Sequence, residues 1–317
     1  MTELGYWLSS EEHAPNDLVR NAARAEELGF AYAMISDHYH PWVDAQGNSP
    51  FVWSVLGGIA QATERLELAT GVTCPLIRTH PAIVAHAAAT VAAMMPGRFT
   101  LGVGTGENLN EHVLGDRWPA PDERIELLEE AIEVMRLLWQ GGEQTHRGRH
   151  YTVDHATLYT LPEQPIPIAV AAAKPNAAEL AGRVGDGLVS TEPNEETVQQ
   201  YRDGGGDGPC WGQVRICWAE SEEEARQTIH RLWRYSRIGG TINVELPRPS
   251  DFDAAAESVT VEMAVDGVPC GPDPEPVVEL VRQWERAGFD RIAFHQVGLD
   301  QEGFFRFWEQ ELRPRLD

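Results

Sequence analysis

Residues 66–103, LELATGVTCPLIRTHPAIVAHAAATVAAMMPGRFTLGV, place a short apolar run, an alanine-rich helical stretch opened by Pro81 and a second short apolar run in succession. Runs this short read as buried strands, and the intervening helix is the crossover that parallel strands need. The same alternation extends outward in both directions. Residues 31–36 (AYAMIS), 166–171 (IPIAVA), 187–190 (GLVS), 213–218 (QVRICW) and 291–295 (RIAFH) read as further buried strands, and 4–8 opens the series, making eight. Helical stretches are expected at 17–28, 81–94, 123–139, 176–184, 222–235, 276–287 and 302–312. In the third, Ile125, Leu128, Ile132, Met135 and Trp139 recur at three- and four-residue steps and mark one buried face. Eight strand–helix units in 317 residues predict an α/β chain folded as a (β/α)8 TIM barrel rather than a doubly wound sheet. Residues 143–165 suggest a small β excursion, and 239–272, rich in Gly, Pro and Asp, an inserted loop region. With no tandem repeat, linker or low-complexity tract, residues 1–317 read as one domain.

Composition narrows the function. The chain carries 49 acidic against 25 basic residues, a formal charge of −24. Such a field repels phosphate backbones and anionic headgroups, which argues against nucleic-acid or membrane-surface binding. Lys174 is the only lysine, a bias that suits a high-salt cytoplasm or a GC-rich genome. Cys74, Cys210, Cys217 and Cys270 are scattered without a CxxC pair, as expected of free thiols in a reducing cytosol. The acidic N-terminal stretch lacks the pattern of a secretory signal, and no apolar run approaches the roughly 18 residues of a membrane span. A cytoplasmic location is expected.

Reactive groups of such a barrel sit just after the C-terminal ends of the strands. Those places hold Ser36-Asp37-His38-Tyr39-His40-Pro41-Trp42, Gly71-Val72-Thr73-Cys74, Gly104-Thr105-Gly106-Glu107-Asn108, Ala172-Ala173-Lys174-Pro175, Ser190-Thr191-Glu192 and His295-Gln296. His38, next to a carboxylate, has the side chain suited to take a proton near neutral pH, though a surface loop histidine reads the same way. His38 and His40 have no third ligand at a recognisable spacing, so no metal site is expected. GVGTGEN lacks the immediate helix and the later acid of a dinucleotide fingerprint. Gly104 and Gly106 instead allow a flat ring close to the backbone, or simply form a tight turn. Glu107 is then either a shielded, proton-holding acid or a solvated carboxylate. Trp42 and Trp53 read equally as packing. Pro175 starts a helix, and its N-terminus at Lys174 favours an anion.

Taken together, Ser36-Asp37-His38 with Pro41-Trp42, GVGTGENLNE at 102–111, AGRVGDG at 181–187 and the His295 strand resemble the coenzyme F420-dependent branch of the bacterial luciferase-like superfamily. The likeness spans the chain and is closest to its F420-dependent glucose-6-phosphate dehydrogenases, with the F420-dependent secondary alcohol dehydrogenases near by. The resemblance implies a TIM barrel, usually a homodimer, that moves a hydride between a carbinol carbon of a small-molecule substrate and C5 of the 8-hydroxy-5-deazaflavin. It implies His38 as the base, Trp42 as the residue steadying developing charge, Glu107 as the acid at the deazaflavin and Glu11 as a second active-site carboxylate. Asp37, Asn110, Thr73, Thr105 and the Ala172-Ala173-Lys174 loop match cofactor positions, and Gly71-Val72 matches a non-prolyl cis peptide. Thr191 and Asn194 match substrate positions. At Asn194 the phosphate-binding relatives have a lysine, and the insertion here has none, so phosphate recognition is expected to be weak. Alternatives within the resemblance are an F420H2-dependent reductase, an FMN-dependent monooxygenase and a non-catalytic flavin-binding barrel.

Overall fold

The computed structural model describes residues 2–316. Eight parallel strands close a barrel: β1 (Glu3–Leu8), β2 (Tyr32–Ile35), β3 (Glu67–Thr70), β4 (Phe99–Val103) and, beyond an antiparallel hairpin of β5 (Glu143–Arg147) and β6 (Thr152–Thr157), β7 (Ile168–Ala171), β8 (Gly187–Ser190), β9 (Cys210–Ile216) and β10 (Arg291–Gln296). Around the ring they run β1-β10-β9-β8-β7-β4-β3-β2. Each barrel strand therefore lies beside its neighbours in the chain, and β1 closes on β10 with Tyr6 opposite Phe294. This is the barrel expected from the alternation, and the small β excursion is the hairpin.

The barrel interior is filled by a few large rings set among small residues. Trp7, Tyr32, Met34 and Trp211 share a layer with Ala69, Ala169 and Ala293, whose short side chains leave room for the indoles. Gly5 serves the same packing, because a Cβ there would enter the Tyr32 ring. Arg291 lies over Trp211 at 4.4 Å and pairs with Glu3 and Glu67, closing the N-terminal end of the barrel. The main core lies between strands and helices. Helix Pro81–Met94 shows how the sequence builds that layer. His80 caps its start by accepting from the Ala82 amide at 3.1 Å, proline takes the first turn, and Val84, Ala85, Ala88 and Ala89 are fully buried.

Three readings need correction. Helices Val52–Ala62 and Glu195–Asp203 occur where none was expected. The first contains the pair Gly57-Gly58, which lowers helix propensity, yet Gly58 is where Val19 of the neighbouring helix packs closest. Strand β9 begins at Cys210, three residues earlier than the run starting at Gln213 suggested. Residues 239–272 are not a loop region: they hold helices Ile242–Glu245, Pro249–Ala255 and Val261–Val265. Each is too short to be stable alone. Phe252 and Ala264 anchor this segment in a satellite core with Ile229, Leu232, Trp233 and Tyr235, forming a roof at one side of the barrel mouth. No helix among the described residues is long and apolar enough to cross a membrane.

Candidate active site

The C-terminal ends of the strands bring most of the expected residues to one mouth. His38 follows β2, and its Nδ1 lies 3.3 Å from Glu11 Oε1, too poorly aligned for a full hydrogen bond. The Ser49 hydroxyl donates to the His38 carbonyl at 2.8 Å and fixes the backbone there. Glu11 is buried, and its other oxygen accepts from Ser36 Oγ at 2.7 Å and Ser9 Oγ at 3.0 Å. Two hydroxyls thus orient the carboxylate so that Oε1 is turned to the imidazole. His38 Nε2 makes no hydrogen bond to the described residues and is available to a ligand. The Trp42 ring stands 5.1 Å from His38 and stacks on Tyr235 at 5.0 Å with planes 14° apart, so the roof supports the residue beside the histidine.

Beside this group, the floor of the mouth is built from backbone. The Gly71–Val72 peptide is cis, as the resemblance implied. Thr73 is tied to β4 by its amide on the Gly102 carbonyl at 2.9 Å, and its hydroxyl donates to Asp37 Oδ2 at 2.9 Å. A Cβ on Gly104 would stand 2.8 Å from Val72 Cγ2, and Gly106 adopts φ +70° with Cys74 Sγ just beneath it. These two glycines are therefore required by the loop geometry itself. Thr105 and Glu107 are half-buried in the same loop. Asn110 Oδ1 accepts from the Tyr39 and His40 amides at 2.9 and 3.2 Å, and its Nδ2 reaches Glu107 Oε2 at 3.5 Å. Asn110 thereby joins the loops after β2 and β4, and His40 turns away to bond the Leu109 carbonyl at 2.9 Å. Among the described residues no group of three or more His, Cys, Asp or Glu side chains is placed to hold a metal ion.

Some partners escaped the sequence reading. Asp37 does not present a free carboxylate, because Oδ1 pairs with Arg78 at 3.2 Å while Oδ2 holds Thr73. Arg78 also bonds Glu111, whose carboxyl is pushed up by burial against the pull of that guanidinium. Behind Glu11 lies Glu12, also buried, which accepts from Trp233 Nε1 at 2.8 Å, His295 Nε2 at 3.1 Å and the Gly298 amide at 2.7 Å. Gln213 Nε2 lies 2.9 Å from His295 Nδ1 and holds the ring with its Nε2 turned to Glu12. His295 is thus sealed in the wall. Asn194 caps helix Glu195–Asp203, its Oδ1 accepting from Glu196 and Thr197 amides, and Thr191 is exposed after β8. Lys174 is the N-cap residue of helix Pro175–Val184, exposed beside Ala173, with Ala172 buried beneath. No sequence signal marked Arg78, Glu12 or Gln213, since each acts through partners distant in the chain.

The family model for luciferase-like monooxygenases matches residues 1–291. An F420-dependent glucose-6-phosphate dehydrogenase of Microbacterium testaceum is 34% identical over 325 residues, covering 98% of this chain and 96% of its own. One of the same name from Nocardia farcinica is 34% identical over 331 residues, covering 99% and 98%. Among solved structures, an F420-dependent secondary alcohol dehydrogenase in complex with an F420–acetone adduct superposes with a TM-score of 0.92 at 27% identity, covering 100% of this chain and 99% of its own.

Proposed function

This chain belongs to the luciferase-like monooxygenase family, and from its site we propose an F420-dependent dehydrogenase that oxidises the CH–OH group of a sugar or small alcohol. The observation that carries the reading is His38, backed by an oriented carboxylate, beside a floor of backbone and small side chains at the same mouth. The relatives named as F420-dependent dehydrogenases support the cofactor.

The residues present fit that group. Gly104, Ala171 and Val72 leave the floor without a bulky side chain, and Lys174, without an ion pair among the described residues, stands exposed at a helix N-terminus suited to an anionic tail. Thr73, Thr105 and Asn110 line the approach, with Asp37 holding Thr73. When bound, the deazaflavin supplies the carbon that accepts the hydride. His38 Nε2 takes the proton of the substrate hydroxyl, and Glu11 stabilises the imidazolium that forms. Trp42 presents an aromatic face beside the cation, a contact worth about 0.5–2 kcal/mol. Glu107, half-buried across the mouth, is positioned to give or hold a proton on the cofactor side. Thr191 contributes to the substrate side, whereas Asn194 acts chiefly as a helix cap.

Four free cysteines, with Cys217 and Cys270 set side by side by a backbone bridge, support a reducing cytoplasm. A homodimer is part of the same proposal, with the exposed apolar side chains of Phe51 and Ile83 available to an interface. Side-by-side titrations with F420, FMN and nicotinamide nucleotides test the reading. F420 is expected to bind at least about tenfold tighter than FMN, about 1.4 kcal/mol. Equal or reversed preference sinks it.

A further inference from the structure

Among the described residues, the arginines drawn largely out of water have anionic or carbonyl partners, and half-buried Arg215 is the exception. Arg78 is held between Asp37 and Glu111, and Arg124 donates to the Pro119 carbonyl at 2.8 Å and approaches Glu245 at 3.5 Å. Arg215 makes no ion pair and no hydrogen bond among the described residues, and its Nε is buried without an acceptor. Its guanidinium lies over the Trp233 ring at 4.3 Å. Burial pulls its pKa down, the opposite of what evolves around a structural ion pair. A guanidinium withdrawn from water without an ion-paired counter-charge is costly, and the cost is met when a ligand brings the anion into contact.

The topology says where that anion enters. Side chains alternate along β9, and Trp211 lies in the interior layer while Gln213 bonds His295, so Arg215 faces inward at the C-terminal end. It stands opposite His295 in the register of β9 with β10. In the ring order β9 lies across the barrel from β3, the strand that leads into the cis peptide. Arg215 therefore belongs to the wall facing the proposed cofactor floor. Glu12 is near but makes no ion pair with Arg215, its oxygens being turned to Ser9, Trp233, His295 and the Gly298 amide. Next to Arg215 the Tyr235 hydroxyl is also buried, with only a poorly aligned contact to Gln46, and Arg237 Nε is buried without an acceptor. Tyr235 stacks on Trp42, which flanks His38. The unmet donors thus lie one ring away from the group proposed to take the hydroxyl proton.

We propose that Arg215 and Tyr235 form a carboxylate-binding subsite, so that the substrate is an alcohol carrying a carboxylate, such as a hydroxy acid or sugar acid. This rests on the dehydrogenase reading above. The two Nη groups, which unlike Nε are not closed off from solvent, offer two parallel donors, the fork that matches the two oxygens of a carboxylate. The tyrosine hydroxyl supplies a third bond. Glu11 and Glu12 close by disfavour a second negative charge, which selects a carboxylate over a phosphate monoester.

The test uses the full chain without cofactor, titrated by calorimetry and by tryptophan emission, which Trp233 beneath the guanidinium makes sensitive to occupancy. The probes are gluconate, glucose and glucose 6-phosphate. Gluconate is expected to bind tightest of the three. Arg215→Gln should weaken gluconate by about 10- to 100-fold, the range for a lost charge-assisted pair, and leave glucose unchanged. Arg215→Lys should restore only part, because it keeps the charge and loses the fork. If Arg215→Gln does not fold, Tyr235→Phe carries the test through a severalfold loss confined to gluconate. Gluconate no tighter than glucose, glucose 6-phosphate tighter than gluconate, or an equal loss for glucose and gluconate in the variants overturns the proposal. Because no cofactor is present, failure here is separate from failure of the F420 titration.

Discussion

Replacing Glu12 with glutamine keeps the shape of the side chain and removes its charge from a buried network. One carboxylate oxygen accepts from Trp233 and His295 and the other from the Gly298 amide, so an amide must point its NH2 at a donor on one side or the other. Burial alone would raise the Glu12 carboxyl, but the hydrogen bond and charge of His295, with His13 and the Gly298 amide, hold it down from 4.5 to about 2. That difference corresponds to roughly 3 kcal/mol of stability at neutral pH, the loss expected for the variant. The folded carboxyl is the stronger acid, so the contribution is complete above the unfolded pKa and is lost as pH falls toward the folded one. At pH 3.5 about 2 kcal/mol should remain. Urea unfolding of wild type and Glu12→Gln at both pH values, followed by circular dichroism, measures it. A loss below about 1 kcal/mol at pH 7, or one that does not shrink in acid, would refute the claim that the ionised carboxylate holds these three donors.

His38→Ala should lower kcat by about 100-fold or more, the usual span for a general base, with F420 affinity nearly unchanged in a binding titration. Near-normal turnover would move proton removal to Glu11. Lys174→Ala should weaken F420 binding about fivefold in low-salt buffer, and the effect should fade as added salt screens the charge. Equal affinities for wild type and variant at low salt would place the tail elsewhere.

The barrel was legible because each strand is a compact apolar run and each crossover a separate helical pattern, as in residues 66–103. What escaped was decided by tertiary contact. Helix Val52–Ala62 forms despite Gly57-Gly58 because Gly58 gives Val19 room, and the roof helices form because Phe252 and Ala264 find Trp233 and Tyr235. The same division runs through the site. His38, Trp42, Glu107 and the glycines stand in local motifs next to strand ends. Arg215 sits inside a strand with nothing in its flanking sequence to mark it, and Glu12 meets His295 only because the barrel closes β1 on β10. Asn194, matching the phosphate position, caps helix Glu195–Asp203, whose polar, acid-rich start carries no clear helical period in the sequence.

The lone lysine has a practical side. Amine-directed reagents find a single side-chain target in this protein, and Lys174 is exposed at the rim of the mouth. A fluorophore coupled there would act as a site-specific probe of loop occupancy without introducing a cysteine among four native thiols. The converse applies to footprinting. Lysine cross-linkers will report almost nothing about how copies of the chain assemble, however close their surfaces, whereas carboxyl-activating chemistry has 49 acidic side chains to work with.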